Sequence, residues 1–188
     1  RKAAERNCAI AGRVAVCENG NYYNRFYFVH PDGAVQHYDK KHLFTFGGEH
    51  KRFTAGTERV VVNFRGVRIL LEVCYDLRFP VWSRNLGDYD MILYVASWPT
   101  PRVDAWSALL RARAIENQCY VAGVNRMGTD PTCEYSGGSA IIDPYGKTIA
   151  ECPWSRESAV SADIDMEALQ AFRKKFPVLD DADPFTLI

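Results

Sequence analysis

Three apolar runs rich in β-branched residues, Val67 to Val73, Asp90 to Ser97 and Cys119 to Asn125, recur along the chain with helix-length stretches between them. Runs that stay apolar without strict alternation suit strands buried on both faces, as in a parallel sheet. Phe79 to Leu86 reads as a short helix, and Val103 to Gln118 as a longer one with apolar residues at 103, 106, 110 and 114. That spacing lays one apolar stripe along a helix. Strand, helix, strand, helix, strand in this order gives an α/β layered fold rather than a bundle or an all-β barrel.

The flanking segments complete the pattern. Arg1 to Asn7 reads as the end of a helix already under way. Cys8 to Cys17 and Tyr22 to Val29 form a hairpin about the Glu18-Asn19-Gly20-Asn21 turn, and Ala34 to Lys40 follows the Pro31-Asp32-Gly33 turn as a third strand. Lys41 to Gly56 has three glycines and little periodicity, so it reads as a long loop, a feature that in compact domains often carries function. Val60 to Phe64 pairs with Val67 to Val73 through Arg65-Gly66. Ser139 to Asp143 and Thr148 to Cys152 flank Pro144-Tyr145-Gly146, and Asp163 to Arg173 is a last helix with acidic residues at its start. No repeat or linker divides the chain, so residues 1–188 read as one domain.

Composition narrows the partners. With 188 residues, 47% hydrophobic and 24% charged, the chain can bury a substantial core. The 23 basic and 23 acidic side chains balance to a net charge of zero, so the chain lacks the positive field that nucleic acids or anionic membranes attract. Met91 to Ala96 is far too short to span a bilayer, and a soluble protein is expected. Six cysteines at irregular spacings, without a C-x-x-C pair, suggest no zinc site and fit a reduced, cytoplasmic protein.

Five of those cysteines read as small buried hydrophobes. Cys74 differs because it ends the Val67 to Val73 strand, where open α/β sheets keep their sites. A free thiol ionises near roughly pH 8.5, so efficient attack needs a cation or base beside it. Lys40, Lys41, His42 and Arg78 are the candidates.

Two long segments resolve that choice by resemblance. Tyr38-Asp39-Lys40-Lys41-His42-Leu43-Phe44 and Glu72-Val73-Cys74-Tyr75-Asp76-Leu77-Arg78-Phe79-Pro80 resemble, in order, the lysine and cysteine segments of the nitrilase (carbon–nitrogen hydrolase) superfamily. The likeness continues through Ser97-Trp98-Pro99, Ala112 to Asn117, Val124-Asn125-Arg126 and Ser139 to Pro144, and is nearest to omega-amidases, which remove ammonia from the terminal amide of 2-oxo acids such as 2-oxoglutaramate.

The resemblance implies a nitrilase-type α-β-β-α sandwich, here without its first strand and helix. It makes Cys74 the nucleophile and Lys40 the catalytic lysine, with Lys41 in a variable slot pointing away. Glu49 matches a second active-site glutamate that orients the lysine, and His42 becomes a positioning residue. Lys40 and the backbone N–H of Tyr75 would form the oxyanion hole. Arg78 and Trp98 are candidate substrate contacts, Arg78 through a bidentate pair with a carboxylate or else in a structural salt bridge with a neighbour such as Asp76. Glu116 reads as structural. No metal and no organic cofactor is implied, and a homodimer or higher homo-oligomer is expected.

One element departs from the pattern. The family's general base is a glutamate on an early strand, and neither Glu5, in the opening helix, nor Glu18, in a turn, has that setting. A preceding segment is expected to supply it. An amide hydrolase working through a thioester is therefore the leading expectation, with a related N-carbamoyl hydrolase or acyl transferase, or an inactive interaction protein, as alternatives.

Overall fold

A computed structural model describes residues 1–186. The chain opens with helix α1 (Lys2–Arg6), which stops where Asn7 turns left-handed at φ 46°. Strands β1 (Ile10–Glu18), β2 (Asn21–Val29) and β3 (Val35–Asp39) then form an antiparallel three-stranded meander. Asn19 and Gly20, at φ 51° and 81°, make the two-residue turn whose twist matches the flanking strands.

A six-stranded sheet is built from β4 (Val61–Phe64), β5 (Val67–Val73), β6 (Met91–Ala96), β7 (Tyr120–Asn125), β10 (Ala140–Ile142) and β11 (Thr148–Glu151), in the spatial order β11-β10-β7-β6-β5-β4. Its centre, β5-β6-β7, is parallel and its margins are antiparallel. Helix α3 (Val103–Glu116) carries the chain from β6 to β7 and buries Trp106, Leu110 and Ala114, three of the four predicted stripe positions.

Alternation along β5 divides the interior into two layers. Ile69, Leu71 and Val73 face the three-stranded sheet and pack with Phe26, Phe28, Tyr38 and Trp82. Leu70 faces the other way, into a cluster with Ile92, Tyr94, Trp106 and Leu110 beneath α3. Each such buried side chain contributes about 1.5–3 kcal/mol. Two sheets face to face with helix on the second is the mixed α/β architecture expected, and the site lies where the two sheets meet. Among the described residues no helix is long and apolar enough to cross a membrane.

Several boundaries move. The predicted helix Phe79 to Leu86 shrinks to a single α-helical turn, α2 (Pro80–Ser83), preceded by a 3-10 turn over Cys74–Arg78. Asn117 Oδ1 accepts from Asn85 N at 2.9 Å, so that amide is taken from any continuing helix. The last helix, α4, runs Met166–Lys175 rather than from Asp163, because Asp165 is its N-cap and accepts from Ala168 N at 2.8 Å. A small hairpin, β8 (Met127–Thr129) and β9 (Glu134–Ser136), stands where no element was expected. Its strands are too short for periodicity to register, and Asp130 organises the turn by accepting from Thr132 N and Cys133 N at 2.9 Å each.

Candidate active site

β5 ends at Val73, and the next residue, Cys74, adopts φ 49°. A non-glycine residue in this left-handed region costs about 1–2 kcal/mol, a strain that persists where neighbours over-determine it. Asp76 supplies the constraint. Fully buried, it accepts from Val73 N at 3.0 Å, Tyr38 Oη at 2.8 Å and His42 N at 2.9 Å, with His42 Nδ1 at 2.8 Å. One carboxylate thus pins the turn carrying Cys74 to the segment carrying Lys40.

That segment is anchored elsewhere too. Lys40 lies one residue past β3, where its N–H still reaches Asn24 O at 3.0 Å. Gly56 closes the loop by donating to Lys40 O at 2.9 Å, and a Cβ there would sit 2.0 Å from Asp39 O, so only glycine permits the approach. Lys40 Nζ is buried and donates to Glu49 Oε2 at 2.6 Å. Glu49 also accepts from Phe44 N at 2.6 Å and Asn24 Nδ2 at 2.9 Å. Burial works to raise the Glu49 pKa, but Lys40 and these donors outweigh it and hold the carboxyl below its ordinary range.

Cys74, Lys40, Glu49, Tyr75, Arg78 and Trp98 all line one cavity of about 440 Å³, so every predicted site residue is brought together. Glu49 is the one carboxylate among the described residues lining it, and it is already paired with Lys40. Burial raises the Cys74 thiol above its ordinary range, while Lys40, a backbone hydrogen bond at Ser97 and Arg13 pull it down and Glu49 adds to the rise. A thiol in such a setting is poised to give up its proton when a base arrives, rather than standing as a free thiolate.

The alternative partner for Arg78 is not used. Asp76 is committed to Tyr38, His42 and Val73, and the Arg78 guanidinium instead lies 4.9 Å from the Trp98 ring centroid. Trp98 is locked by Asn125, whose Oδ1 accepts from Trp98 N at 2.7 Å, and by its own Nε1 donating to Arg102 O at 2.6 Å. His42 stacks on Phe79 with ring centroids 3.8 Å apart, and its Nδ1 lies 2.8 Å from Asp76 Oδ1. Lys41 points away, its Nζ 5.3 Å from the Trp82 ring, and Glu116 pairs with Arg113 at 2.8 Å.

Sequence reasoning missed Arg13, Asn24, Phe44 and Arg102, together with Thr132, Cys133 and Tyr135 of the unexpected hairpin, all of which line the cavity. Asn24 did leave a signal, being a polar residue on the same strand face as Phe26 and Phe28.

The family model for carbon–nitrogen hydrolases matches residues 1–174. The chain is also 53% identical over 187 residues to omega-amidase YafV of Escherichia coli K12, covering 99% of this chain and 73% of that one. The chain belongs to the carbon–nitrogen hydrolase family. Another member, the 2-oxoglutaramate amidase of Bacillus subtilis 168, is 41% identical over 92% of this chain and 67% of its own length. Among solved structures, XC1258 from Xanthomonas campestris, a CN-hydrolase superfamily protein with an arsenic adduct in its active site, superposes with a TM-score of 0.96. It is 46% identical, over 100% of this chain and 74% of that one. The family's fold is thus the fold described above, and membership makes the chain an amidase-type hydrolase of carbon–nitrogen bonds.

Proposed function

We propose that this chain is an omega-amidase, hydrolysing the terminal amide of a small carboxylate-bearing substrate such as 2-oxoglutaramate and releasing ammonia. The observation that carries the reading is the convergence of Cys74, on its strained left-handed turn, with the buried Lys40–Glu49 pair in one cavity.

In this reading Cys74 attacks the amide carbon as its proton passes to a general base. Glu49 is committed to Lys40, Asn24 and Phe44 N and serves to orient the lysine. The Lys40 ammonium and the Tyr75 N–H stabilise the oxyanion, ammonia leaves with the transferred proton, and water then cleaves the thioester. Arg78, whose guanidinium has no carboxylate partner among the described residues and is steadied on Trp98, receives the substrate carboxylate. The names of the relatives from Escherichia coli and Bacillus subtilis support the same substrate class.

The test is ammonia release by the purified full-length protein from 2-oxoglutaramate and from a neutral aliphatic amide of similar length. The carboxylate-bearing amide should have the higher kcat/KM, Arg78→Ala should erase most of that preference, and Cys74→Ala should abolish turnover of both. A higher kcat/KM for the neutral amide overturns the omega-amidase reading.

A further inference from the structure

Arg13 lies on the edge strand β1, in register with Phe26, and so on the face of the small sheet that meets the large one. Its guanidinium spans the junction of the two sheets, with Nη1 donating to Asn24 Oδ1 at 3.1 Å and Nη2 reaching Ser97 Oγ at 3.4 Å. Both partners belong to the site. Asn24 holds Glu49, and the Ser97 carbonyl is the group to which the Cys74 thiol donates, at 3.8 Å. Neither carries a charge, so the guanidinium is not neutralised by them.

The charges around the thiol differ in kind. Lys40 pulls hardest on the thiol of the cations around it, and Glu49, 2.6 Å from its ammonium, offsets part of that pull. Arg78 and Arg102 also line the cavity, lying against Trp98 and Phe44. Tyr75, Tyr135 and Cys133 are the other titratable groups on the walls, and Asp76 and Glu72, on the thiol's own segment, are buried away in their own hydrogen bonds.

We infer that Arg13 is a further positioning residue of this active site, supplying, beside Lys40, a second positive charge that is paired with no carboxylate among the described residues and that favours the Cys74 thiolate. The inference rests on Cys74 being the nucleophile. Arg13 acts on the sulfur without touching substrate, and its two hydrogen bonds keep that charge at the seam of the sheets. Its effect is also felt in the balance at the thiol, where burial pushes the pKa up and both Lys40 and Arg13 pull it down. Arg13 is solvent-exposed, so water screens part of its field and the effect is moderate.

The experiment is the pH dependence of Cys74 alkylation by iodoacetamide, a neutral reagent, followed by peptide mapping of the full-length protein, its Arg13→Gln variant and its Arg13→Lys variant. Arg13→Gln should move the midpoint upward by about 0.5–1 pH unit, the shift expected of one partly screened charge at the edge of a cavity. Arg13→Lys, which keeps the charge and changes the hydrogen bonding, should stay close to wild type. An unmoved midpoint in Arg13→Gln, or an equal shift in Arg13→Lys, overturns the inference. Should Arg13→Gln melt below wild type, Arg13→Thr, which suits a strand, repeats the comparison with the same expected shift. If Cys74 is not the rapidly alkylated thiol in the wild type, the nucleophile reading itself falls; if it is, and the midpoint does not move, only the role of Arg13 falls.

Discussion

Glu72→Gln should stabilise the protein at neutral and alkaline pH while changing little in acid. Glu72 lies on β5 two residues before Cys74, completely buried on the face beneath α3. Its Oε2 accepts from Ser83 Oγ at 2.9 Å, Ser83 in turn contacts Tyr94 Oη at 3.1 Å, and Oε1 has no partner among the described residues. Burial first, and then the charge of Asp76, raise its pKa to about 8 from an ordinary 4.5, with Ser83, Tyr94 and Arg113 pulling weakly against them.

The sign follows from which state binds the proton. Below the ordinary carboxyl range Glu72 is neutral in both folded and unfolded chain, and its burial is tolerated. Between that range and the folded value of about 8, the unfolded chain releases the proton and the folded chain keeps it, so stability declines as pH rises. The slope is about 1.4 kcal/mol per pH unit, so from about pH 5 to about pH 7.5 the loss approaches roughly 3 kcal/mol. Gln reproduces the shape of the neutral acid without the titration. Urea unfolding followed by the fluorescence of the four tryptophans, at those two pH values, measures it. Equal differences between variant and wild type at both pH values, or a variant less stable than wild type at the higher one, would refute the reasoning.

Two further substitutions probe the site. Lys40→Ala should lower kcat by at least the 10²–10³-fold typical, roughly, of a lost oxyanion donor, whereas Lys41→Ala, which gives up only a contact with Trp82, should stay near wild type; steady-state kinetics giving the reverse order would shift the lysine assignment by one residue. Asp76→Asn should lower stability by about 2–4 kcal/mol, because an amide nitrogen cannot accept from the buried donors of Tyr38, His42 and Val73. Its kcat should fall with its melting temperature, and a fully active variant of unchanged melting temperature would show that Asp76 does not couple the two segments.

Much of this protein is written in local pattern. Buried strands, turn residues and one helical stripe each depend on residues a few positions apart, so β1 to β7 and α3 could be read within a residue or two of their ends. Cys74 and Lys40 were legible for a related reason, since the two long motifs carry their own neighbours with them, while Glu49 was read only from the family resemblance in the loop after Lys40. Tertiary structure decided what joins those motifs. Asp76 reaches across 34 residues to His42, Asn24 across 25 to Glu49, and Arg13 across 84 to Ser97. No periodicity links such positions, because their proximity exists only once the two sheets close on one another. The same is true of ionisation. A glutamate on an apolar strand looks like an interruption in the sequence, and only its burial against Ser83 and Tyr94, with the Asp76 charge behind it, turns it into a carboxyl that holds its proton near neutrality.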